Sequence, residues 1–363
     1  MAEKIKIENV AVINCPSYNQ KQVDKAVADA FSLLNFEIKK NCNVLIKPNV
    51  VGNFPKKQIA ATTHPSVIEA ICKILKKHNC KITIGDSPFT NPEMSFKASG
   101  IDKIAKKYGR LLIFEQDKLI KIKDKKAKFL KEFPIANSVR QADLIINVPK
   151  LKTHILTKYT GAIKNQYGFI PGGLKQRIHK KTQGEKNFSE LLVDIYQNIK
   201  PELNIMDAII GMEGTGPTSG NPKKAGLIIA SRNSAALDIA VAKIIGLNPE
   251  EVYAIKESVK RKIYPNYNFN LLGMKTLPKI KFRMPPETKR RGAQSLINQI
   301  SKEKPIVVDK NLCVKCGTCA AHCPGKAITL APYPEIDRKK CIRCFCCMEI
   351  CPRDALSLAE KKA

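Results

Sequence analysis

The residues with the clearest chemistry lie near the end of the 363-residue chain, where nine of its thirteen cysteines fall between Cys313 and Cys351. Two stretches, "VVDKNLCVKCGTCAAHCPGKAITL" and "EIDRKKCIRCFCCMEICPRDALSL", superpose at a shift of 28 residues, which sets Asp309 on Asp337, Pro324 on Pro352 and Ala327 on Ala355. Both copies then read C-x2-C-x2-C-x3-C-P. Three closely spaced thiolates can wrap three corners of an iron–sulfur cubane while a distant fourth closes it, so the run points to 4Fe–4S clusters. A structural zinc ion takes four ligands, and eight in two such copies argue against zinc. The register also sorts the five cysteines of "CIRCFCCMEICP": Cys346 falls opposite Thr318 and is the spare.

This run is the one that bacterial-type dicluster ferredoxins carry, and residues 305 to about 358 resemble such a module. The resemblance implies two 4Fe–4S clusters with crossed ligation, one on Cys313, Cys316, Cys319 and Cys351, the other on Cys341, Cys344, Cys347 and Cys323. It implies as well a small α+β unit of pseudo-twofold symmetry that transfers single electrons. Cys15, Cys42, Cys72 and Cys80, scattered outside the module, read as small buried hydrophobes.

A second set of polar residues follows short apolar runs in the first 220 residues. "KPN" (Lys47 to Asn49) follows Val44 to Ile46, and "GDS" (Gly85 to Ser87) follows Ile82 to Ile84. "PKLKTH" (Pro149 to His154) follows Leu144 to Val148, and "MEGTGP" (Met212 to Pro217) follows Ile205 to Ile210. If the runs are parallel strands, these loops converge on a crevice at their carboxyl ends, where open α/β sheets bind ligands. The crevice would hold an anionic substrate on Lys47, Lys152, Lys164, Asn49 and Asn165, with Asp86 and His64 at its edge. His154, Lys150 and Glu213 are the candidates for catalysis, His154 as the proton shuttle in a lysine-rich loop. For any single lysine, a place on the solvated surface is the plainer account. His64, in "TTHPSV", equally fits the start of a helix. "GTGPTSG" lacks the helix a phosphate loop needs behind it.

The elements that must position these residues alternate. "VAVIN", "VLIKPN", "KITIGDS", "LLIFEQ", "DLIINVPK", "LNIMDAIIGMEG" and "AGLIIAS" read as strands. Between them, "KQVDKAVADAFSLL", "HPSVIEAICKILKKHN", "FSELLVDIYQNI" and "SAALDIAVAKIIGL" have helical spacing, and Lys158 to Gln166 reads as a further helical stretch. The expected fold class is α/β, a large domain with a mostly parallel sheet flanked by helices, plus the small dicluster unit. The boundaries expected are 1–260 for the large domain, 261–304 for a basic linker and 305–363 for the ferredoxin-like domain. The linker, rich in Pro, Lys and Arg, shows no sustained period and is read as a connector that wraps one domain or joins two.

Together "VLIKPNVVG", "TTHPSVIEAICKILKK", "ITIGDSPF", "LIINVPKLKTH", "TGAIKNQYGFIPG" and "IMDAIIGMEGTGPTSGNPK" resemble domain-of-unknown-function family 362 over residues 5 to about 255. Many members carry a C-terminal dicluster ferredoxin and are described as iron–sulfur cluster-binding proteins, so the resemblance implies architecture more than reaction. A fainter likeness, through the His-Pro and Lys-rich loops, is to the lactate racemase superfamily.

The formal charge of +31, from 63 Lys and Arg against 32 Asp and Glu, is spread along the chain as a solvated surface would be. It suits an acidic redox partner protein better than nucleic acid, since the chain has no Trp and no aromatic-and-basic stacking motif. No apolar run reaches about 18 residues, so no membrane span is expected, and clustered thiols suit the cytoplasm. Two functions follow: a ferredoxin-linked oxidoreductase acting on an anionic substrate, or an electron carrier or assembly factor that docks a redox partner.

Overall fold

Along the strand Asn43–Pro48 the side chains of Val44 and Ile46 enter one apolar cluster and Leu45 the other. This is the period of two that a strand imposes when both faces of its sheet are covered. Ile145 against Leu144 and Ile146, and Met206 against Ile205, divide in the same way. The two clusters are therefore the two faces of one central sheet.

The computed structural model describes residues 7–52, 58–182, 184–264, 266–285, 305–342 and 344–359. Strands are β1 (Asn9–Asn14), β2 (Asn43–Pro48), β3 (Lys81–Asp86), β4 (Arg110–Ile113), β5 (Leu119–Lys123), β6 (Glu132–Ala136), β7 (Leu144–Val148), β8 (Lys150–His154), β9 (Lys158–Thr160), β10 (Leu203–Glu213), β11 (Asn221–Ser231) and β12 (Asn270–Leu272). Among the described residues the main sheet runs β12-β1-β11-β10-β7-β2-β3-β4, with β8 pairing β10 and β9 pairing β8. The β7, β2, β3, β4 half is parallel, and β11 runs antiparallel to β1 and β10. The large part is thus an α/β fold with a mostly parallel sheet flanked by helices.

On one face lie the helices Gln20–Leu33 and Pro65–Lys77. The second buries Val67, Ile68, Ile71, Cys72 and Leu75, the stripe its sequence spacing predicts, and starts on His64 with Pro65 in its first turn. On the other face lie Glu185–Ile199 and Ser234–Ile244, the latter buried on nearly every side and capped by Asn233. The β5–β6 hairpin stands apart from the main sheet.

Three segments differ from the expectation. "KLKTH" is strand β8, fully buried, rather than a loop, because it pairs with β10 and β9 at once. Lys158 to Gln166 is not one helix: β9 occupies its start and a short helix, Ala162–Asn165, follows. Within the expected linker, β12 adds to the edge of β1 in parallel, and Tyr264, Leu271, Ile280 and Phe282 pack on the large core. Apolar residues too irregular to show a period still found a surface to cover. The rest of that linker, residues 286–304, lies outside the described residues.

The C-terminal segment adds β13 (Ile306–Val308), β14 (Ile328–Leu330), β15 (Pro334–Ile336) and β16 (Leu356–Leu358), paired antiparallel as β13–β16 and β14–β15. Its two copies match in detail. The short helices Thr318–Ala321 and Cys346–Glu349 occupy equivalent positions, and Gly317 and Phe345 share a left-handed backbone, as do Lys326 and Asp354.

Candidate functional site

The parallel strands end side by side, and their last residues open into a cavity of about 70 Å3. That is room for about five waters at ~10–15 Å3 each, a size suited to a small molecule. Four lysines, Lys47, Lys152, Lys164 and Lys175, line it against two acids, Asp86 and Glu349.

Each polar group is set by a neighbouring strand or turn. Lys47, the penultimate residue of β2, is buried and meets the Asp86 carboxylate at the end of β3 at 2.7 Å. Asp86 also accepts from the Val50 and Ser87 backbone N–H groups at 2.8 Å. A Cβ on Gly168 would strike both the Lys47 ammonium and Asp86, so the chain can approach this pair only as glycine. Asn49 and Asn165 share a hydrogen bond of 2.7 Å, and Asn165 continues to Asn147 at 2.7 Å and Asn147 to Asn204 at 2.9 Å, an amide chain that braces the cavity floor.

Lys152, on β8, is 1% exposed. Among the described residues its ammonium bonds neutral acceptors, Asn49 Oδ1 at 2.7 Å and Ala61 O at 2.8 Å. Burial, and then the nearby Lys164 charge, hold its amine well below the usual lysine range. Lys164 lies 5.6 Å from the centre of the Phe188 ring, and burial lowers it too, opposed by Glu349. Lys175 donates to the Ser87 hydroxyl at 2.9 Å and to the Ser87 carbonyl, and burial brings it down to about 8. Thr160 also lines the cavity, and its buried hydroxyl has no hydrogen-bond partner among the described residues.

The remaining expected site residues lie elsewhere. Lys150 pairs with Asp207 at 2.8 Å, both fully buried, and also donates to the Tyr18 hydroxyl at 2.7 Å, a closed cluster outside the cavity lining. His64 caps its helix through Nδ1, stacks on Tyr18 at 3.8 Å, and is pushed down to about 4 by burial, so it is neutral at pH 7. Glu213 holds Arg283, through both the guanidinium at 2.9 Å and the backbone N–H at 3.0 Å, and so anchors the segment that follows β12. His154 Nδ1 accepts from the backbone N–H groups of Leu156 and Thr157, while Nε2 lies 3.4 Å from Glu349 Oε1. The three expected catalytic residues therefore act as core pair, anchor and interface contact.

Glu349 belongs to the cysteine-rich segment. Thr218 donates to its carbonyl at 2.7 Å, and Ser219 donates to Asp354 at 2.7 Å. The "GTGPTSG" loop thus docks the C-terminal segment rather than cradling phosphate. Glu349 and Ile350, between Cys347 and Cys351, form one wall of the cavity. Tyr167, which also lines the cavity, is held well above the usual phenol range by burial, with Cys346 and Glu349 adding to it.

Inside that segment Cys313, Cys316, Cys319 and Cys351 line one small cavity, and Cys323, Cys341, Cys344 and Cys347 line a second. Each draws three cysteines from one run and the fourth from the other. The Ala327 N–H donates to Cys323 Sγ at 3.3 Å and the Ala355 N–H to Cys351 Sγ at 3.2 Å, equivalent bonds in the two copies. Among the described residues no three His, Cys, Asp or Glu side chains gather closely enough to hold one metal ion. The thiols ring a space instead of closing on a point, which fits a cubane better than a zinc ion with sulfur at about 2.3 Å. Cys346 stands outside both rings and is buried.

Lys175, Thr160 and Glu349 escaped the sequence reading. Lys175 sits in no quoted motif, Thr160 opens "TGAIKNQYGFIPG" with no chemistry assigned to it, and Glu349 was hidden among ligand cysteines; only the fold brings the three to one cavity.

Residues 305–352 match a 4Fe-4S dicluster domain. A thylakoid-associated protein of Synechocystis sp., sll1697, is 31% identical over 223 residues, 59% of this chain and 66% of that protein, so the chain spans just under two thirds of its length. The lactate racemase apoprotein from Thermoanaerobacterium thermosaccharolyticum aligns with a TM-score of 0.42 at 13% identity, over 68% of this chain and 57% of that one, a likeness too distant to speak to activity. No described helix is long and apolar enough to cross a membrane. Residues 44–243, more than half of the chain, match the model of the domain of unknown function DUF362, and the chain belongs to that family, with an iron–sulfur dicluster segment at its C-terminal end.

Proposed function

We propose that the protein is a cytoplasmic oxidoreductase that exchanges electrons between two 4Fe–4S clusters and a small anionic substrate held in the lysine-lined cavity. The observation that carries this reading is the shared wall: Glu349 and Ile350, flanked by Cys347 and Cys351, face the same space as Lys152, Lys164 and Lys175.

Cys313, Cys316, Cys319 and Cys351 would hold one cluster, and Cys323, Cys341, Cys344 and Cys347 the one nearer the cavity. Such clusters supply electrons singly. The chain's own residues do the rest. Lys152 and Lys164 meet the anion, and the Thr160 hydroxyl gains the partner it lacks. Lys47 stays paired with Asp86 and fixes the floor. Lys175 is the proton donor, since its amine titrates at about 8 and faces the cavity. Lys152 and Lys175 are buried, and in such surroundings each charged hydrogen bond is stronger than in water.

Burial depresses these lysines, so an arriving anion favours their protonated forms and binding takes up protons. Affinity should then weaken as pH rises through about 8, where Lys175 loses its charge. The test is anaerobic reconstitution followed by titration of small carboxylates and phosphate at pH 7 and pH 9, in wild type and Lys164→Ala. Binding at pH 7 that weakens at pH 9 and in the variant is expected. No saturable binding of any such anion, or binding indifferent to both changes, would remove the substrate half of the proposal.

A further inference from the structure

The two copies of the cysteine repeat are alike in backbone and unlike in surroundings. Val314 is 56% exposed and Cys316 is exposed, whereas their equivalents Ile342 and Cys344 are only partly so. Gly317 corresponds to Phe345, which is buried, and Thr318 to Cys346, also buried. The second copy is covered where Glu349 meets His154 and Thr218. Among the described residues the first copy is open.

Around the open copy the surface has a definite character. Leu312 and Leu330 are 42% and 44% exposed, and the Leu330 methyl lies beside Gly317, next to Cys316. Lys315 and Lys310 both stand over the Tyr333 ring, at 4.7 and 5.5 Å from its centre. Two cations are therefore held by one aromatic ring at the rim of an exposed apolar patch.

The geometry points to this face as the docking surface for an acidic one-electron carrier protein, with the Cys313, Cys316, Cys319 and Cys351 site as the port of electron entry. The inference rests on the two-cluster half of the proposed function and not on its substrate. Positive rim and apolar centre complement a carrier that rings its own redox centre with carboxylates. Transfer is a single-electron step: the reduced carrier loses one electron, the group on these four cysteines gains it, no bond forms or breaks, and no proton need move. The basic strap that carries Lys279 and Lys281 packs on the large core and lines neither cysteine ring, so the docking role goes to the face around Lys310 and Lys315.

The test uses the full-length, reconstituted protein with an acidic plant-type 2Fe–2S ferredoxin as the carrier. Calorimetry gives the affinity of the oxidised pair, and stopped-flow absorbance gives the second-order rate with the reduced carrier. Lys310→Glu/Lys315→Glu should weaken binding and slow reduction about tenfold or more and flatten the salt dependence. Lys310→Glu/Leu330→Glu, which leaves the ring of cysteine-lining residues intact, should do the same with unchanged iron and sulfide content. Dithionite should reduce every form equally, which separates loss of docking from loss of the clusters. If both variants keep wild-type affinity and rate, or if Lys279→Glu/Lys281→Glu is the pair that slows reduction, the assignment is overturned.

Discussion

Lys150 and Lys152 stand two residues apart on β8, on the same face and equally buried, yet they belong to different regions. Around Lys150 every charge is answered: Asp207 accepts from its ammonium, from the Tyr18 hydroxyl at 2.9 Å and from the His64 backbone N–H at 2.9 Å. Around Lys152, among the described residues, the amine's hydrogen bonds go to neutral oxygens, with Lys164 nearer in effect than the Glu349 carboxylate and the Thr160 hydroxyl left over. Desolvating a charge costs several kcal/mol unless it is paired. The first region is thus complete without a ligand, and the second has a deficit that a ligand would fill. Buried lysine alone does not mark a site; the state of its partners does.

The largest effect should come from breaking the closed region. Lys150→Ala leaves Asp207 buried without its cation and should cost about 3–5 kcal/mol in urea unfolding, with Lys150→Met/Asp207→Leu recovering much of that. A loss below about 1 kcal/mol would erase the distinction between the regions. Lys152→Met should show the inverse pattern: stability within about 1 kcal/mol of wild type or above it, because an unanswered cation is removed. Anion affinity should then fall about 10- to 150-fold, as expected for a charged hydrogen bond of about 1.5–3 kcal/mol. The smallest change is Thr160→Val, which replaces an unsatisfied buried hydroxyl with a group of the same shape. It should leave the melting temperature unchanged or slightly higher and weaken the anion a few-fold, about 0.5–1 kcal/mol. A lower melting temperature would mean that Thr160 serves the core instead.

The strands and helices of the large part were legible because burial on both faces writes continuous apolar runs, and amphipathic helices write their stripe. "NVLIKP" and "HPSVIEAICKILKK" became β2 and the helix behind it. "KLKTH" was misread as a loop because its alternate residues are Lys150, Lys152 and His154, which no rule of strand composition favours. Its strand state comes from backbone pairing with β10 and β9, long-range contacts that leave no local mark. The same holds for the strap from Tyr264 to Phe282, whose apolar residues fit a surface and not a period.

Of the site, the convergence of Lys47, Asn49, Asp86, Lys152, Lys164 and Asn165 followed from the rule that ligands gather at the carboxyl ends of parallel strands. What that rule could not rank was which polar groups find partners inside the protein. Lys150 and Glu213 were candidates by type and place, and each is satisfied by a residue far away in sequence, Asp207 and Arg283, while His64 takes the helix-start role its place before Pro65 already offered, through Ser66.

By itself the sequence determined the two cysteine runs, their 28-residue register and the spare Cys346, since cluster ligation depends on short spacings along the chain. It also determined the alternation of strand and helix, which depends on local apolar periodicity. Only the tertiary structure decided that one copy of the repeat lies open and the other forms a wall of the lysine cavity, and that Lys175 and Thr160 belong to it. Those outcomes depend on contacts between segments far apart in the chain, 88 residues for Lys175 and Ser87 and 131 for Thr218 and Glu349, where burial and pairing are settled by the fold as a whole and no local pattern records them.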